Sequence, residues 1–269
     1  MKIYRVQDSG HQVLYATSDN GRDFFALADD PFYGELRVTN QQLEVRSILA
    51  PVEPPAVLCI GVNYLKHLEE MGHPKPEYPV MFLKPPSALL DPGAAIQLPR
   101  ALRSDRVDYE VELAVVIGTR CKNVTPANAL DYVLGYTIAN DVSARDWQKD
   151  HGGGQWCRGK MFDTFLPLGP CIATRDDIPD SGQLALATRL NGETMQASHT
   201  GDMISPVPEL IAFLSGSTTL EPGTVILTGT PSGVGAGRDP EVYLKPGDQL
   251  ELEIDGIGVL ANPVEEEPA

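Results

Sequence analysis

Residues 108–118, DYEVELAVVIG, place two glutamates in a run that is otherwise almost entirely apolar. Because the side chains of a strand alternate between its two faces, Glu110 and Glu112 lie on one face and the apolar residues between them on the other. Two interpretations are open: an amphipathic strand with one face in water, or a pair of carboxylates held at a functional site. In both cases the segment predicts a strand, which limits the chain to folds that contain a sheet.

Short segments of strand character follow one another along the chain. In the N-terminal part they cover 2–7, 12–17 and 22–28, separated by Asp-Ser-Gly and Asp-Asn-Gly turns. Prolines in residues 50–55 (APVEPP) predict an extended connector between a small N-terminal β-rich domain, 1–50, and a main domain, 51–269. Since the strands do not alternate with long helices, we expect a β-rich α+β fold and not a doubly wound sheet.

The main domain contains further strand and helix patterns. Strands are predicted at 56–60, 133–139, 224–227 and 249–254, with a hairpin turn at Asn191-Gly192. Helices are predicted at 63–71, 125–132, 143–148 and 203–214. The acidic end, residues 265–269, is expected to be frayed.

Acidic residues outnumber basic ones, 37 to 21, which gives a formal net charge of −16. This balance argues against nucleic acid and against an anionic membrane as partners, because both are bound through basic patches. A small anionic substrate is compatible with it, since a bound metal cation reverses the field inside one pocket. The cysteines follow no metal-binding spacing and are expected to be reduced thiols: Cys59, Cys121, Cys157 and Cys171. With no targeting segment or long apolar run evident, the cytoplasm is the expected location.

Asp141 follows the apolar strand predicted at 133–139, at a position where functional side chains are common. A helix cap for 143–148 is the alternative role. Together with Glu110 and Glu112, Asp141 would form an all-oxygen ligand set. Such a set suits Mg²⁺, Mn²⁺ or Ca²⁺ and does not suit Zn²⁺ or copper.

His67 and Glu70 lie three residues apart on a predicted helix and share a face. A carboxylate beside an imidazole can raise its basicity and activate a water; a solvated helix face is the alternative. Lys160 follows Gly159 and could reach a substrate anion, although exposed lysines are more common. The segment 229–235 (GTPSGVG) predicts a tight turn or a backbone wall for a carboxylate, and 149–154 (KDHGGG) a mobile lid or a surface turn.

Six stretches of the chain, in order, resemble the fumarylacetoacetate hydrolase family: GVNYLKHLEEMG (61–72), FLKP (82–85), DYEVELAVVIG (108–118), NDVSARDWQ (140–148), GKMFDTFLPLGP (159–170) and ILTGTPSGVG (226–235). Residues 152–170 look most like the "domain-containing protein 2" subgroup and related bacterial 2-oxo-acid enzymes. The resemblance implies a mixed β roll, usually a homodimer, with 51–269 as its catalytic domain. It also implies site roles: metal ligands Glu110, Glu112 and Asp141 for Mg²⁺ or Mn²⁺; a water-activating pair, His67 and Glu70, with Lys160; and substrate contacts Gln148, Thr230 and Lys84.

The activity that the resemblance implies is divalent-metal-dependent hydrolysis of a C–C bond in an acylpyruvate or related 2,4-dioxo acid, through a metal-stabilised enolate. The alternatives at the same site are keto–enol tautomerisation or decarboxylation of oxaloacetate, or isomerisation of a hydroxydienedioate. Position 62 is Val where some acylpyruvate-cleaving members carry Arg, so substrate orientation could differ. A binding module without turnover is the alternative outside enzymes, and His67, Glu70 and Lys160 argue against it.

Overall fold

A computed structural model describes residues 1–72 and 74–268, and strands make up most of its regular structure. The first strands are β1 (Lys2–Asp8), β2 (Val13–Thr17), β3 (Phe24–Leu27), β4 (Val38–Leu43), β5 (Val45–Leu49), β6 (Val57–Gly61) and β7 (Val80–Lys84). The middle strands are β8 (Leu89–Leu90), β9 (Ile96–Leu98), β10 (Val107–Asp108), β11 (Val111–Ile117), β12 (Val133–Asn140), β13 (Ser143–Ala144) and β14 (Leu166–Thr174). The last strands are β15 (Ala185–Leu190), β16 (Glu193–His199), β17 (Val225–Leu227), β18 (Gln249–Ile254) and β19 (Gly258–Glu266).

Helices are short and lie between these strands. The α-helices are α1 (Leu65–Glu70), α2 (Cys157–Lys160) and α3 (Val207–Ser215). A π-helical turn covers Asp146–Asp150, and 3-10 turns cover Pro86–Ala88, Ala129–Tyr132, Thr200–Asp202 and Gly235–Gly237. None of the helices within the described residues is long and apolar enough to cross a membrane. The predicted β-rich α+β class is confirmed.

Two large sheets organise the chain. The main sheet has the strand order β4-β3-β2-β1-β14-β12-β11-β17-β6-β7, with β5 paired to β1 and β8 to β14. The second sheet has the order β16-β15-β18-β19-β9. Side chains of both sheets meet in one apolar cluster, and a second cluster covers the opposite face of the main sheet. The main sheet is therefore buried on both faces near its centre.

Strand β11 shows how this burial affects the two glutamates. Val111, Leu113 and Val115 face the cluster between the sheets, whereas Ala114 and Val116 face the other cluster. All seven residues of β11 are buried, including Glu112. The alternation in the sequence thus predicted the faces correctly, but neither face of this strand lies in water.

The main sheet is continuous across the predicted domain boundary at residue 50. Strand β1 pairs with β14, with Lys2 opposite Ala173 and Ile3 opposite Ile172. Ile3 is fully buried in the second apolar cluster, beside residues of the main domain. The division into 1–50 and 51–269 stays a prediction about organisation, and the hydrogen bonding joins the two parts.

Three local predictions were only partly correct. Of the helix predicted at 125–132 only the 3-10 turn Ala129–Tyr132 forms, because the Asn128 side chain accepts from the N–H and hydroxyl of Thr125 and holds a turn instead. The helix predicted at 143–148 begins later, because Ser143–Ala144 form β13, which pairs with β10, and it takes the π-helical form over Asp146–Asp150. The end is ordered through Glu266, because β19 pairs with β9 there.

Other predictions held. The Asn191-Gly192 turn joins β15 and β16 as a hairpin, with both turn residues at positive φ. All four cysteines are unpaired, and Cys59, Cys121 and Cys171 are buried.

Candidate active site

The register between β11 and β12 brings the three predicted metal ligands together. Val111 lies opposite Asn140 in this antiparallel pair, so Glu110 and Asp141 are neighbours just beyond the paired residues. The backbone N–H of Asp141 donates to the carbonyl of Glu110 at 2.9 Å. One carboxylate oxygen from each of Glu110, Glu112 and Asp141 lies within 4.8 Å of the other two, and all three residues are buried. The sheet therefore builds a carboxylate triad from one strand start and one strand end.

Buried cations neutralise two members of this triad. Lys160 Nζ donates to Glu110 at 2.8 Å and to Asp141 at 2.7 Å. Arg145 Nη1 lies 2.7 Å from Glu110 Oε1. Although burial lowers the pKa of Lys160, Asp141 and Glu110 outweigh it, so the net shift is upward and the ammonium keeps its proton.

The pKa values of the two glutamates of the triad are shifted in opposite directions. Burial alone would raise the pKa of Glu110, but Lys160 and Arg145 outweigh it and hold that pKa at about 2. Burial first, and then Asp141 and Glu110, raises the pKa of Glu112 well above its usual range. Within the described residues Glu112 has no ion pair. Lys160 lowers the pKa of Glu112 from a distance but does not outweigh burial, so the ionised carboxylate has no cation paired directly with it.

A divalent cation would supply that charge, and the donor set fits one. Three carboxylates converge, all their donor atoms are oxygen, and such sets are typical of Mg²⁺, Mn²⁺ and Ca²⁺ sites. Glu110, Glu112 and Asp141 are thus the residues that could hold a metal here.

His67 and Glu70 form the predicted pair on α1. His67 Nδ1 and Glu70 Oε2 are 2.9 Å apart, and the second oxygen of Glu70 accepts from the backbone N–H of Gly233, also at 2.9 Å. Glu70 is therefore fixed from both sides. With Nδ1 donating to Glu70, Nε2 of His67 is the nitrogen free to take a proton.

A cavity of about 240 Å³ lies between this pair and the triad. Most of the predicted site residues line it: His67, Glu110, Glu112, Asp141, Gln148, Lys160 and Thr230. Glu70 stands behind His67. The lining also includes an apolar wall that was not predicted and that consists of Ile60, Val62, Met71, Phe82 and Trp156. Val62 has φ 57°, a conformation that β-branched residues rarely adopt, and such strain is common beside functional cavities.

Lys84, a predicted substrate contact, lies beneath the cavity and not in its wall. Its ammonium donates to the carbonyls of Val142, Lys160 and Phe165 at 3.0, 2.6 and 2.7 Å. It also lies 2.8 Å from Asp141 Oδ1, and both side chains are fully buried. This geometry suits a residue that positions Asp141.

Asp108 and Arg145 are site residues that the sequence did not single out. Arg145 Nε donates to Asp108 at 2.8 Å, and its Nη1 donates to Gln148 at 3.0 Å while contacting Glu110. Asp108, Glu110 and Glu112 recur every second residue, and that spacing was the available signal for Asp108. No comparable signal marked Arg145, which lay inside a predicted helix.

The glycine-rich loop 229–237 binds carboxylates of the protein itself. Backbone N–H groups donate from Gly229 to Glu112 at 2.6 Å and from Gly233 to Glu70 at 2.9 Å. Those of Gly235 and Ala236 donate to Asp108 at 2.8 and 3.0 Å. The predicted wall for a carboxylate is present, but the carboxylates that it binds are the chain's own.

The fold and this site together define a class: a β-rich α+β enzyme with a buried carboxylate triad that can hold a divalent metal. Residues 56–265 match the family model described as fumarylacetoacetate (FAA) hydrolase C-terminal, and the chain belongs to this family.

Relatives within the family carry more specific names. The chain is 46% identical over 230 residues to "Oxaloacetate tautomerase fahd2, mitochondrial" of Xenopus laevis, a match covering 84% of this chain and 72% of that protein. It is similar to the crystal structure of 5-carboxymethyl-2-hydroxymuconate delta-isomerase from Mycobacterium smegmatis, with a TM-score of 0.86, 39% identity and coverage of 99% and 100%. For the structure of 2-hydroxyhepta-2,4-diene-1,7-dioate isomerase from Mycobacterium marinum, the TM-score is 0.85, the identity 38% and both coverages 100%.

Proposed function

We propose that the protein is a divalent-metal-dependent tautomerase that interconverts the keto and enol forms of oxaloacetate or a closely related 2-oxo dicarboxylic acid. The observation that carries the proposal is His67, held by Glu70 at 2.9 Å and lining the same cavity as the carboxylate triad. The tautomerase and isomerase names of the relatives support proton transfer better than the hydrolysis implied by the family resemblance alone.

Tautomerisation moves one proton between a carbon and the neighbouring carbonyl oxygen. A cation held by Glu110, Glu112 and Asp141 would act as a Lewis acid that polarises this oxygen. His67 takes the proton from carbon at Nε2, and Glu70 stabilises the imidazolium that forms. The same imidazolium returns the proton to the oxygen, which completes the enol. Lys160 stays charged and stabilises the negative charge on oxygen, while Gln148 and Thr230 orient the substrate.

The test is the rate of change in enol absorbance of oxaloacetate, measured on metal-stripped protein with Mg²⁺ or Mn²⁺ added back. We expect His67→Asn to lower kcat by about 10²- to 10⁴-fold, the range that general acid–base groups contribute. Metal binding by the variant should be unchanged, because His67 is not a ligand. His11→Asn is the matched control, because His11 is exposed and lies far from His67 in the sequence. An unaffected rate in His67→Asn would remove this residue from the mechanism.

Hydrolysis of an acylpyruvate is the second candidate, because the pair His67–Glu70 can equally activate a water. Acetylpyruvate assayed in parallel separates the two activities: hydrolysis releases pyruvate, whereas tautomerisation changes the enol absorbance and releases none. Decarboxylation of oxaloacetate also yields pyruvate, and isomerisation of a hydroxydienedioate yields a shifted diene absorbance. A homodimer and a cytoplasmic location stay predictions, and the name of the Xenopus relative places that protein in mitochondria.

A further inference from the structure

In the described part of the chain, three cationic side chains line the cavity: Arg145, Lys149 and Lys160. Two of them are committed to carboxylates of the protein. Arg145 binds Asp108 and Glu110, at 2.8 and 2.7 Å. Lys160 binds two members of the triad, at 2.8 and 2.7 Å. These contacts hold Arg145 and Lys160 at the triad, and among the described lining residues they leave Lys149 as the cation without a carboxylate partner.

Lys149 belongs to the π-helical turn Asp146–Asp150 and is exposed. Across residues 1–72 and 74–268 its ammonium has no hydrogen bond and no ion pair; the neighbouring Asp150 pairs with Arg106 instead, at 3.2 Å. Partial burial first, and then Arg145 and Arg106, lowers the pKa of Lys149. An anion bound at this point would relieve the repulsion between these cations.

Gln148, the preceding residue, offers a second donor to the same cavity. Its side-chain oxygen accepts from Arg145 at 3.0 Å, which fixes the orientation of the amide. The NH₂ group of Gln148 is bonded to no other residue in the described part of the chain, and the side chain lines the cavity. An ammonium and an amide NH₂ on adjacent residues are donors that a carboxylate can accept together.

We propose that Lys149, with the amide of Gln148, binds the second carboxylate of the substrate and makes the enzyme selective for dicarboxylic over monocarboxylic 2-oxo acids. This inference rests on the proposed function, and it adds that the carboxylate next to the reacting carbonyl would bind the cation held by the triad. The site then has two anion-binding ends, the triad with its metal and Lys149. The apolar wall of Ile60, Val62 and Phe82 lies beside the carbon chain.

The test uses two unreactive four-carbon acids, malate and 2-hydroxybutanoate, which differ only in having a carboxylate or a methyl group at the far end. Their dissociation constants are measured by calorimetry on Mg²⁺-loaded protein. We expect the wild type to prefer malate by about tenfold or more, as one charge-assisted contact implies. Lys149→Met should remove the preference, and Lys149→Arg should retain most of it. Lys122→Met, at an exposed lysine outside the cavity, should leave it unchanged.

Turnover provides a second readout. With oxaloacetate, Lys149→Met should raise KM about tenfold and leave kcat nearly unchanged, whereas the 4-methyl ester of oxaloacetate should show no change in KM. A malate preference that survives in Lys149→Met overturns the proposal. If instead the preference depends on Lys149 but the wild type does not tautomerise oxaloacetate, the dicarboxylate site stands and the proposed reaction fails.

Discussion

Glu110 and Glu112 lie two residues apart, yet their surroundings move their pKa values in opposite directions. Lys160 and Arg145 hold the pKa of Glu110 at about 2, whereas burial, Asp141 and Glu110 raise that of Glu112. Without a divalent cation, the surroundings therefore favour the protonated form of Glu112 and the ionised form of Glu110. A metal must displace this proton to use the carboxylate as a ligand.

This competition predicts that metal binding weakens as the pH falls. A carboxyl with a raised pKa stabilises the metal-free fold at low pH, and that contribution is lost as the pH rises through the raised value. A bound cation restores this stability at higher pH, because it compensates the charge of the ionised Glu112. We expect the increase in Tm on adding Mg²⁺ to be larger at about pH 8 than at about pH 6.

Thermal unfolding with and without Mg²⁺ at both pH values checks this expectation. Glu112→Gln is the informative variant, since a neutral amide of the same shape cannot bind a proton in this range. It should fold, bind metal more weakly and lose most of the pH dependence. An equal Mg²⁺ effect at both pH values in the wild type would contradict the assignment.

At the scale of elements, the segment after β12 does not form the regular helix predicted from its sequence. Residues distant in the sequence contact this segment and determine its conformation. The helix predicted at 143–148 implied no partner for Arg145, which binds Asp108 and Glu110 in the structure. The triad itself was predictable, since alternation in β11 and the end of β12 are local signals. The pairing of Arg145 with Asp108 joins residues 37 apart, and single-sequence periodicity contains no information about such a contact.

The Asp108–Arg145 pair predicts a large effect on stability. Asp108→Asn removes the charge that faces a buried guanidinium, and breaking a buried ion pair in this way costs about 3–5 kcal/mol. Urea unfolding measures the change in the free energy of unfolding. Asp105→Asn is the matched control: Asp105 pairs with Arg103 at 2.7 Å, but both side chains are over 70% exposed. That variant should lose less than about 1 kcal/mol.

An equal loss in the two aspartate variants would show that Asp108 does not neutralise Arg145 in a buried setting. A loss of stability confined to Asp108→Asn, accompanied by weaker Mg²⁺ binding, would support a series of contacts. In it the loop 229–237 holds Asp108, Asp108 holds Arg145, and Arg145 holds the triad through Glu110.

Across the whole molecule, the main sheet runs without interruption from the N-terminal strands to β7. The prolines of residues 50–55 predicted an extended connector for a local reason, because three prolines disfavour regular structure there. It contained no information about pairing, and β1 returns to join β14. Whether residues 1–50 unfold independently is therefore a question of energetics that the connector alone does not answer.

We expect the two parts to unfold together. Ile3→Ala removes a fully buried side chain between β1 and the main sheet and should cost about 2–5 kcal/mol. Both tryptophans, Trp147 and Trp156, lie outside residues 1–50, so their fluorescence reports on the main part. In Ile3→Ala, the urea midpoint measured by tryptophan fluorescence should fall together with the midpoint measured by far-UV circular dichroism. An unchanged tryptophan midpoint would show that the N-terminal strands form a separate unit.

The loop 229–237 limits where new substrate preferences can be introduced. It holds Glu112, Glu70 and Asp108 through backbone N–H groups, so replacing its side chains cannot adjust those contacts gradually. A Cβ at Gly237 would lie 2.6 Å from Glu70 Cδ. Even alanine there would therefore displace Glu70 and disturb the His67–Glu70 pair. Libraries for engineering should therefore leave this loop intact and randomise the apolar wall, where side chains alone define the shape. Variation there would change which molecules are accepted while the reactive groups keep their positions.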